Sequence, residues 1–158
     1  MDNATITAFD RAKTYYWSSQ KKTSKTKAQE GKDYFATPEP LGLKMAEWLD
    51  LRGSESALEP SAGHGAIARW LPETANRTAI EPSNTLRARL ALAMDASKDR
   101  LIDGTFEDHA IVNKYDGIAM HPPFGTAGRT AVDHIAKAAQ HLRDGGRIVA
   151  LLPDGPSA

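Results

Sequence analysis

Short apolar runs alternate with amphipathic runs along most of the chain, and this alternation constrains the fold more than any other feature. Parallel strands need a crossover of a dozen or more residues, which is usually a helix. The pattern therefore predicts an α/β fold, with a mainly parallel sheet of about five strands and helices on both faces. The predicted strands are 57–59, 77–81, 100–103, 115–120 and 147–152, and the predicted helices are 38–50, 64–71, 86–94 and 132–142.

Helical periodicity also predicts which side of two helices faces the core. In the first helix the predicted buried residues are Leu41, Met45, Trp48 and Leu49. In the last helix they are Val132, Ile135, Ala136, Ala139 and Leu142, which places His134 and His141 near the polar edge.

Length and composition suit one soluble domain, since 158 residues with 41% hydrophobic and 25% charged side chains can bury a core. Twenty basic residues balance 20 acidic ones, so the overall charge neither favours nor excludes nucleic acid. The absence of cysteine excludes disulfides and thiolate metal sites, and the histidines lack a metal-binding spacing, so we expect no metal. No apolar run approaches the ~18 residues of a membrane span, so we expect a soluble, cytoplasmic protein without a membrane partner.

The first 33 residues differ from the rest, because they are polar and carry a net charge of +3. This composition predicts a flexible basic arm at 1–33, followed by a folded domain at 34–158. Tyr15, Tyr16 and Trp17 beside the lysines are suited to stacking on bases, with the lysines near phosphates. A solvated arm whose aromatic residues pack on the domain or on a partner chain explains the same residues.

A glycine-rich turn follows the first predicted strand, and an acidic residue stands at the strand tip. A strand that breaks into such a turn brings backbone N–H groups close to a ligand. Glu59 is placed to take a hydroxyl or ammonium group. Glu81 ends the next strand roughly 20 residues later, where an acid commonly receives ribose hydroxyls. A helix N-terminal acid preceding Pro82 is the alternative for Glu81.

The fourth predicted strand runs into His121, Pro122, Pro123 and Phe124. Two consecutive prolines hold the chain extended and remove two N–H donors, which leaves rigid carbonyl acceptors. The aromatic ring after them is suited to stacking on a flat substrate. Since Glu59, Glu81, Asp103 and His121 all follow strands of one parallel sheet, we expect a ligand site at its carboxyl edge.

These motifs together resemble the S-adenosylmethionine-dependent amino-methyltransferases, above all the DNA adenine-N6 methyltransferases. The resemblance covers residues 34–153 in the family's order and includes the segment from Tyr34 to Pro38. It implies a Rossmann-like class I methyltransferase fold, S-adenosyl-L-methionine as cofactor and DNA as partner. The implied cofactor-binding residues are Thr37, Pro38, Glu59, Pro60, Ser61, Ala62, Gly63 and Gly65 for the methionine part, Glu81 and Pro82 for the ribose, and Thr105 and Phe106 for the adenine. The implied catalytic residues are His121, Pro122, Pro123 and Phe124.

The sequence departs from the family pattern in three respects. His121 stands where the family has Asn or Asp, whose side-chain oxygen accepts hydrogen bonds from the target amine together with the first proline's carbonyl. Thr105 stands where the family has Asp, and Asp103 is a nearby substitute. The sequence also lacks the last hairpin of the family's sheet, so we expect a truncated member, or one that uses a partner chain or a separate recognition domain.

The resemblance implies methyl transfer to the exocyclic amine of adenine in DNA, as in restriction–modification. Methylation of RNA or of a protein glutamine amide uses the same Pro-Pro-aromatic motif and is an alternative. A third interpretation is a catalytically impaired domain that binds the cofactor or nucleic acid, because His121 and Thr105 depart from the pattern.

Overall fold

A computed structural model describes residues 36–152, which form one sheet flanked by helices. The predictions for the arm at 1–33, for Tyr34 and Phe35 and for 153–158 lie outside these residues. Within 36–152, no helix has both the length and the apolar character needed to cross a bilayer. The helices are α1 (Glu39–Leu49), α2 (Asn84–Leu90) and α3 (Arg129–Gln140), and the strands are β1 (Ser56–Glu59), β2 (Asn76–Ile80), β3 (Arg100–Ile102), β4 (Tyr115–Met120) and β5 (Leu142–Ala150).

The five strands pair in the order β3-β2-β1-β4-β5, and every pairing is parallel. In this order β1 lies between β2 and β4, with Glu59 opposite Ala79 and Leu58 opposite Ile118. The residues that follow β1, β2 and β4 therefore emerge beside one another at the carboxyl edge. The predicted parallel α/β sheet is confirmed.

Successive residues of the central strands face opposite sides of the sheet, as pleating requires. Ala57 and Ala119 face the layer that contains Met45 and Leu49 of α1. Leu58 and Ile118 belong to the opposite layer, which contains Ala138 of α3. Helices on both faces are thus confirmed, and the central strands are buried on both sides.

The predicted helix at 64–71 is wrong, because this segment forms turns and a 3-10 helix at Ala68–Trp70. Gly63 and Gly65 have φ of 56° and 93°, which are left-handed values that interrupt a right-handed helix. Within this segment one hydrogen bond has the α-helical spacing, from Arg69 N to Gly65 O at 3.1 Å, and the bonds donated by Trp70 N and Leu71 N have the shorter 3-10 spacing. The chain here makes a compact loop against the strand tips.

The junction between α3 and β5 also differs from the prediction. The helix ends at Gln140 and the strand already begins at Leu142, with a bulge between the pairs Tyr115–Leu142 and Gly117–Arg147. A Cβ at Gly146 would lie 2.8 Å from the Asp116 carbonyl oxygen, so this close approach requires glycine.

The predicted buried faces of α1 and α3 are wrong in part. Leu41, Trp48 and Val132 are 42%, 60% and 65% exposed, and the predicted core residues Ala136 and Ala139 are exposed as well. His134 and His141 are buried instead of lying at a polar edge. His134 can be buried because its Nε2 pairs with Glu107 Oε1 at 2.8 Å. α3 contains alanines on several sides, so periodicity alone selects the wrong face of that helix.

Candidate functional site

The glycine turn after β1 is held against the tip of β2 by hydrogen bonds. Ala62 N donates to Ile80 O at 3.0 Å, and Gly63 N donates to Glu81 Oε2 at 2.8 Å. A Cβ at Gly65 would lie 3.1 Å from Leu90 Cδ1, and its φ of 93° also favours glycine. The two predicted elements, the glycine turn and Glu81, are therefore in direct contact.

Glu81 is buried and accepts two backbone hydrogen bonds. Its Oε2 accepts from Gly63 N, and its Oε1 accepts from Ser83 N at 2.7 Å. Burial raises the pKa of Glu81, while the two backbone hydrogen bonds and Arg87 oppose the rise. Each carboxylate oxygen can accept two hydrogen bonds and accepts one of these, so the group has lone pairs left for a ligand hydroxyl.

Glu59 at the tip of β1 is the most unusual group at this edge. Its side chain is buried, and its Oε2 has no hydrogen-bond partner among residues 36–152. Burial raises the pKa of Glu59 well above its usual range, the Ala68 backbone amide opposes the rise and the Glu81 carboxylate adds to it. A buried acceptor without a partner costs stability unless a ligand donor satisfies it. Pro60, directly after Glu59, is also buried.

The His121–Phe124 segment leaves β4 at the same edge of the sheet. Pro122 is buried, and the His121 and Phe124 rings lie 5.5 Å apart between centroids with a tilt of 48°. Burial lowers the pKa of His121, so its imidazole is neutral at neutral pH. The Thr37 Oγ1 lies 2.9 Å from His121 Nδ1, which brings the segment before α1 to the proline loop.

Thr105 and Phe106 follow β3, and the structure gives them local partners. Thr105 Oγ1 donates to Asp108 Oδ2 at 2.9 Å, and Phe106 is buried in the same layer as Leu58. Asp103, the predicted substitute for an acid here, is exposed and pairs with Arg87 Nη1 at 2.9 Å. These residues are therefore engaged in a turn, the core and an ion pair.

Two buried residues near this edge, Glu39 and His64, were not predicted from the sequence to belong to the site. Glu39 is buried, where its Oε2 accepts from Trp70 Nε1 at 2.8 Å and its Oε1 lies 3.6 Å from Arg69 Nε. His64 is buried in the glycine turn, and burial, Arg89 and Arg69 lower its pKa to about 4. His64 also lines a cavity of about 290 Å³ together with these two arginines. No local sequence signal reveals these contacts, because each joins separate elements.

The chain has the fold of class I, Rossmann-like methyltransferases. No protein-family model matches the sequence, and comparison with curated proteins found no match. Many solved structures do match. At the identities found, these matches establish the fold.

Three of the matching structures are methyltransferases by name. A SAM-dependent O-methyltransferase from Thermotoga maritima has a TM-score of 0.61 at 15% identity, over 77% of this chain and 46% of that one. The glycopeptide N-methyltransferase MtfA in complex with (S)-adenosyl-L-methionine has a TM-score of 0.58 at 18% identity, over 77% of this chain and 57% of that one. An rRNA methylase from Streptococcus thermophilus has a TM-score of 0.55 at 15% identity, over 74% of this chain and 72% of that one. The chain thus spans about half the length of the first two.

Proposed function

We propose that the chain binds S-adenosyl-L-methionine at the carboxyl edge of the sheet and methylates the exocyclic amine of adenine in DNA. The observation that carries the proposal is the buried Glu59 Oε2, which has no partner among the described residues and lies next to the glycine turn. A carboxylate in this state suits a ligand that brings a positive charge and N–H donors. The methyltransferase fold makes this cofactor the natural candidate.

The residues at the strand ends fit this cofactor in chemical type. Glu59 is suited to the ammonium group of the methionine part, and the glycines at 63 and 65 add no side chain to the turn beside it. Glu81 keeps acceptor capacity for the ribose hydroxyls. By the family resemblance we assign Thr37 and Pro38 to the methionine part as well.

The loops that follow β1 and β2 contain four more residues that the resemblance assigns to cofactor binding. These residues are Pro60, Ser61, Ala62 and Pro82. Thr105 and Phe106 remain our proposal for the adenine of the cofactor. The Thr105 hydroxyl donates to Asp108 Oδ2 and accepts from Asp108 N, and its oxygen has capacity for one more donor.

We assign the binding position of the target adenine to the space next to His121 and Phe124. When bound, the cofactor supplies an electrophilic methyl group. The chain contributes position and acceptors, since Phe124 offers a ring on which a flipped base can stack. The carbonyl of Pro122 accepts a hydrogen bond from the target amine, and the buried Pro122 ring keeps this carbonyl in place. Pro123 keeps the loop extended.

Two measurements test the proposal. Calorimetry should detect S-adenosyl-L-methionine binding to the wild-type chain. Transfer of a labelled methyl group should then occur to a duplex of dA and dT, and not to one of dG and dC. His121→Ala is the control for background, and label in the adenine duplex no higher than in this control would overturn the activity.

RNA is the second target to include, because the matching rRNA methylase is covered over 72% of its length. A peptide containing glutamine completes the same screen. Cofactor binding without turnover on any target would instead favour an impaired domain, in which His121→Asn creates activity.

A further inference from the structure

One hydrogen bond joins two segments that lie 84 residues apart in the sequence. It connects Thr37 Oγ1, just before α1, to His121 Nδ1, just after β4, at 2.9 Å. Thr37 is buried and His121 is half-buried, so water competes little for this contact. The bond is therefore a fixed feature of the site and not a surface contact.

The Thr37 hydroxyl is available to His121 because the start of α1 does not use it. A threonine before a helix usually accepts from a backbone N–H two or three residues later. Here the N-cap residue of α1 is Pro38, so Thr37 lies one residue before the cap position, and no side-chain hydrogen bond caps the helix. The first helical bonds run from Leu41 N and Gly42 N to Pro38 O. The lone pairs of the Thr37 hydroxyl are left for the imidazole.

The partner of Nδ1 decides what His121 can offer to a ligand through its other nitrogen. A neutral imidazole carries one protonated nitrogen, which donates, and one bare nitrogen, which accepts. Burial is the cause that favours the neutral ring. If Nδ1 holds the hydrogen and donates it to Thr37, then Nε2 is a bare acceptor on the opposite side of the ring.

We propose that Thr37 accepts a hydrogen bond from Nδ1–H of His121 and so fixes the tautomer whose Nε2 accepts a hydrogen of the target amine. Thr37 is then a positioning residue for His121, and this role rests on the proposed function. Nε2 takes the part that the side-chain oxygen of Asn or Asp plays in the resembled family. An imidazole is also a stronger base than a carboxamide, so His121 can remove a proton as well as accept a hydrogen bond.

This step restricts the target to a nitrogen that carries a hydrogen. The nitrogen–carbon bond forms as the cofactor's sulfur–carbon bond breaks, and that electron pair stays on sulfur. The methylated nitrogen is then positively charged until it loses a proton, which passes to Nε2 and from there to solvent. A primary amine on a planar ring meets this requirement.

The tautomer can be measured without any ligand. In protein labelled with ¹⁵N-histidine, long-range ¹H–¹⁵N correlation at pH 7 separates protonated from bare ring nitrogens, and His121→Asn identifies the His121 signals. We expect Nδ1 protonated and Nε2 bare. A wild-type ring with Nε2 protonated would overturn the inference.

Two substitutions of Thr37 show whether its hydroxyl sets the tautomer. Thr37→Val keeps the branched shape and removes the hydroxyl, so we expect His121 to show a mixture of tautomers. Thr37→Ser keeps the hydroxyl and should restore the wild-type spectrum. If Thr37→Val leaves the spectrum unchanged, Thr37 does not position His121.

Kinetics give a second measurement. Thr37→Val should lower kcat on the adenine duplex in proportion to the loss of the tautomer with Nε2 bare, about twofold for an equal mixture, with recovery in Thr37→Ser. If wild-type protein shows the expected tautomer but binds no S-adenosyl-L-methionine, the proposed function fails and the tautomer assignment stands. If the wild-type protein binds the cofactor and methylates its target while Nε2 of His121 is protonated, the proposed function stands and the tautomer assignment fails.

Discussion

Replacing Glu59 with glutamine should separate the stability of the ligand-free protein from its affinity for the cofactor. The carboxyl Oε2 of Glu59 is buried without a partner in the described chain, and burial raises its pKa above the usual 4.5. A group whose pKa is raised on folding contributes stability below its unfolded pKa, and this contribution is lost as pH rises through the folded pKa. The ligand-free wild type should therefore lose stability above about pH 4.5 through this residue.

The size of the effect follows from the burial of the unpartnered atom. An unsatisfied buried polar group costs about 1–3 kcal/mol, and more when it is charged. Glutamine has nearly the shape of glutamate but does not titrate, so Glu59→Gln should lack this loss. Urea unfolding at a series of pH values should show the wild type falling by about 1–3 kcal/mol relative to the variant. Glu73→Gln, at an exposed position, is the matched control and should follow the wild type.

Binding should change in the opposite direction. A charge-assisted hydrogen bond to the cofactor's ammonium contributes about 1.5–3 kcal/mol, so Glu59→Gln should weaken binding by about 10- to 150-fold. Calorimetry in buffers of different ionisation enthalpy should also show proton release on binding to the wild type, which the variant lacks. Parallel stability curves for the wild type and Glu59→Gln, or equal affinities, would refute this reasoning.

Two further substitutions test the architecture of the site, and a third tests a buried ion pair between Arg77 near the start of β2 and Asp99 just before β3. Glu81→Ala leaves two backbone amides without their acceptor, so urea unfolding should show a loss of about 1–3 kcal/mol and Glu81→Gln a smaller one. Gly65→Ala places a Cβ at φ of 93° against Leu90, and we expect a cost of about 1–3 kcal/mol in the same assay. Asp99→Asn leaves the buried guanidinium of Arg77 without its carboxylate, so unfolding should show a loss of about 3–5 kcal/mol. Full stability in any of these variants would contradict the contact concerned.

The strands and the glycine turn could be predicted because their signals are local. Apolar runs such as Ile118–Met120, bounded by turn residues, locate buried strands without knowledge of their neighbours. Because the strands are parallel, their carboxyl ends lie at the same edge of the sheet, and Glu59, Glu81 and His121 meet there. These features follow from periodicity and topology alone.

The remaining features depend on contacts between distant parts of the chain. The segment at 64–71 is no regular helix, because Gly63 and Gly65, just before and near its start, adopt left-handed backbone angles. The buried face of α3 is defined by His134, whose acceptor Glu107 lies 27 residues earlier. His134 and Glu107 are too far apart in the sequence for a local pattern to contain both, so such contacts cannot be predicted from local patterns.

The hydrogen bond from Gly63 to Glu81 has a consequence for how the loops behave before any ligand arrives. A backbone residue loses about 1–2 kcal/mol of conformational entropy when it is fixed, and in this turn that loss occurs during folding. The Gly63 amide should therefore exchange with deuterium as slowly as the neighbouring strands, although it lies in a loop. Ligand affinity is then not reduced by loop ordering, and a substitution that loosens the turn weakens binding even where it touches no ligand atom.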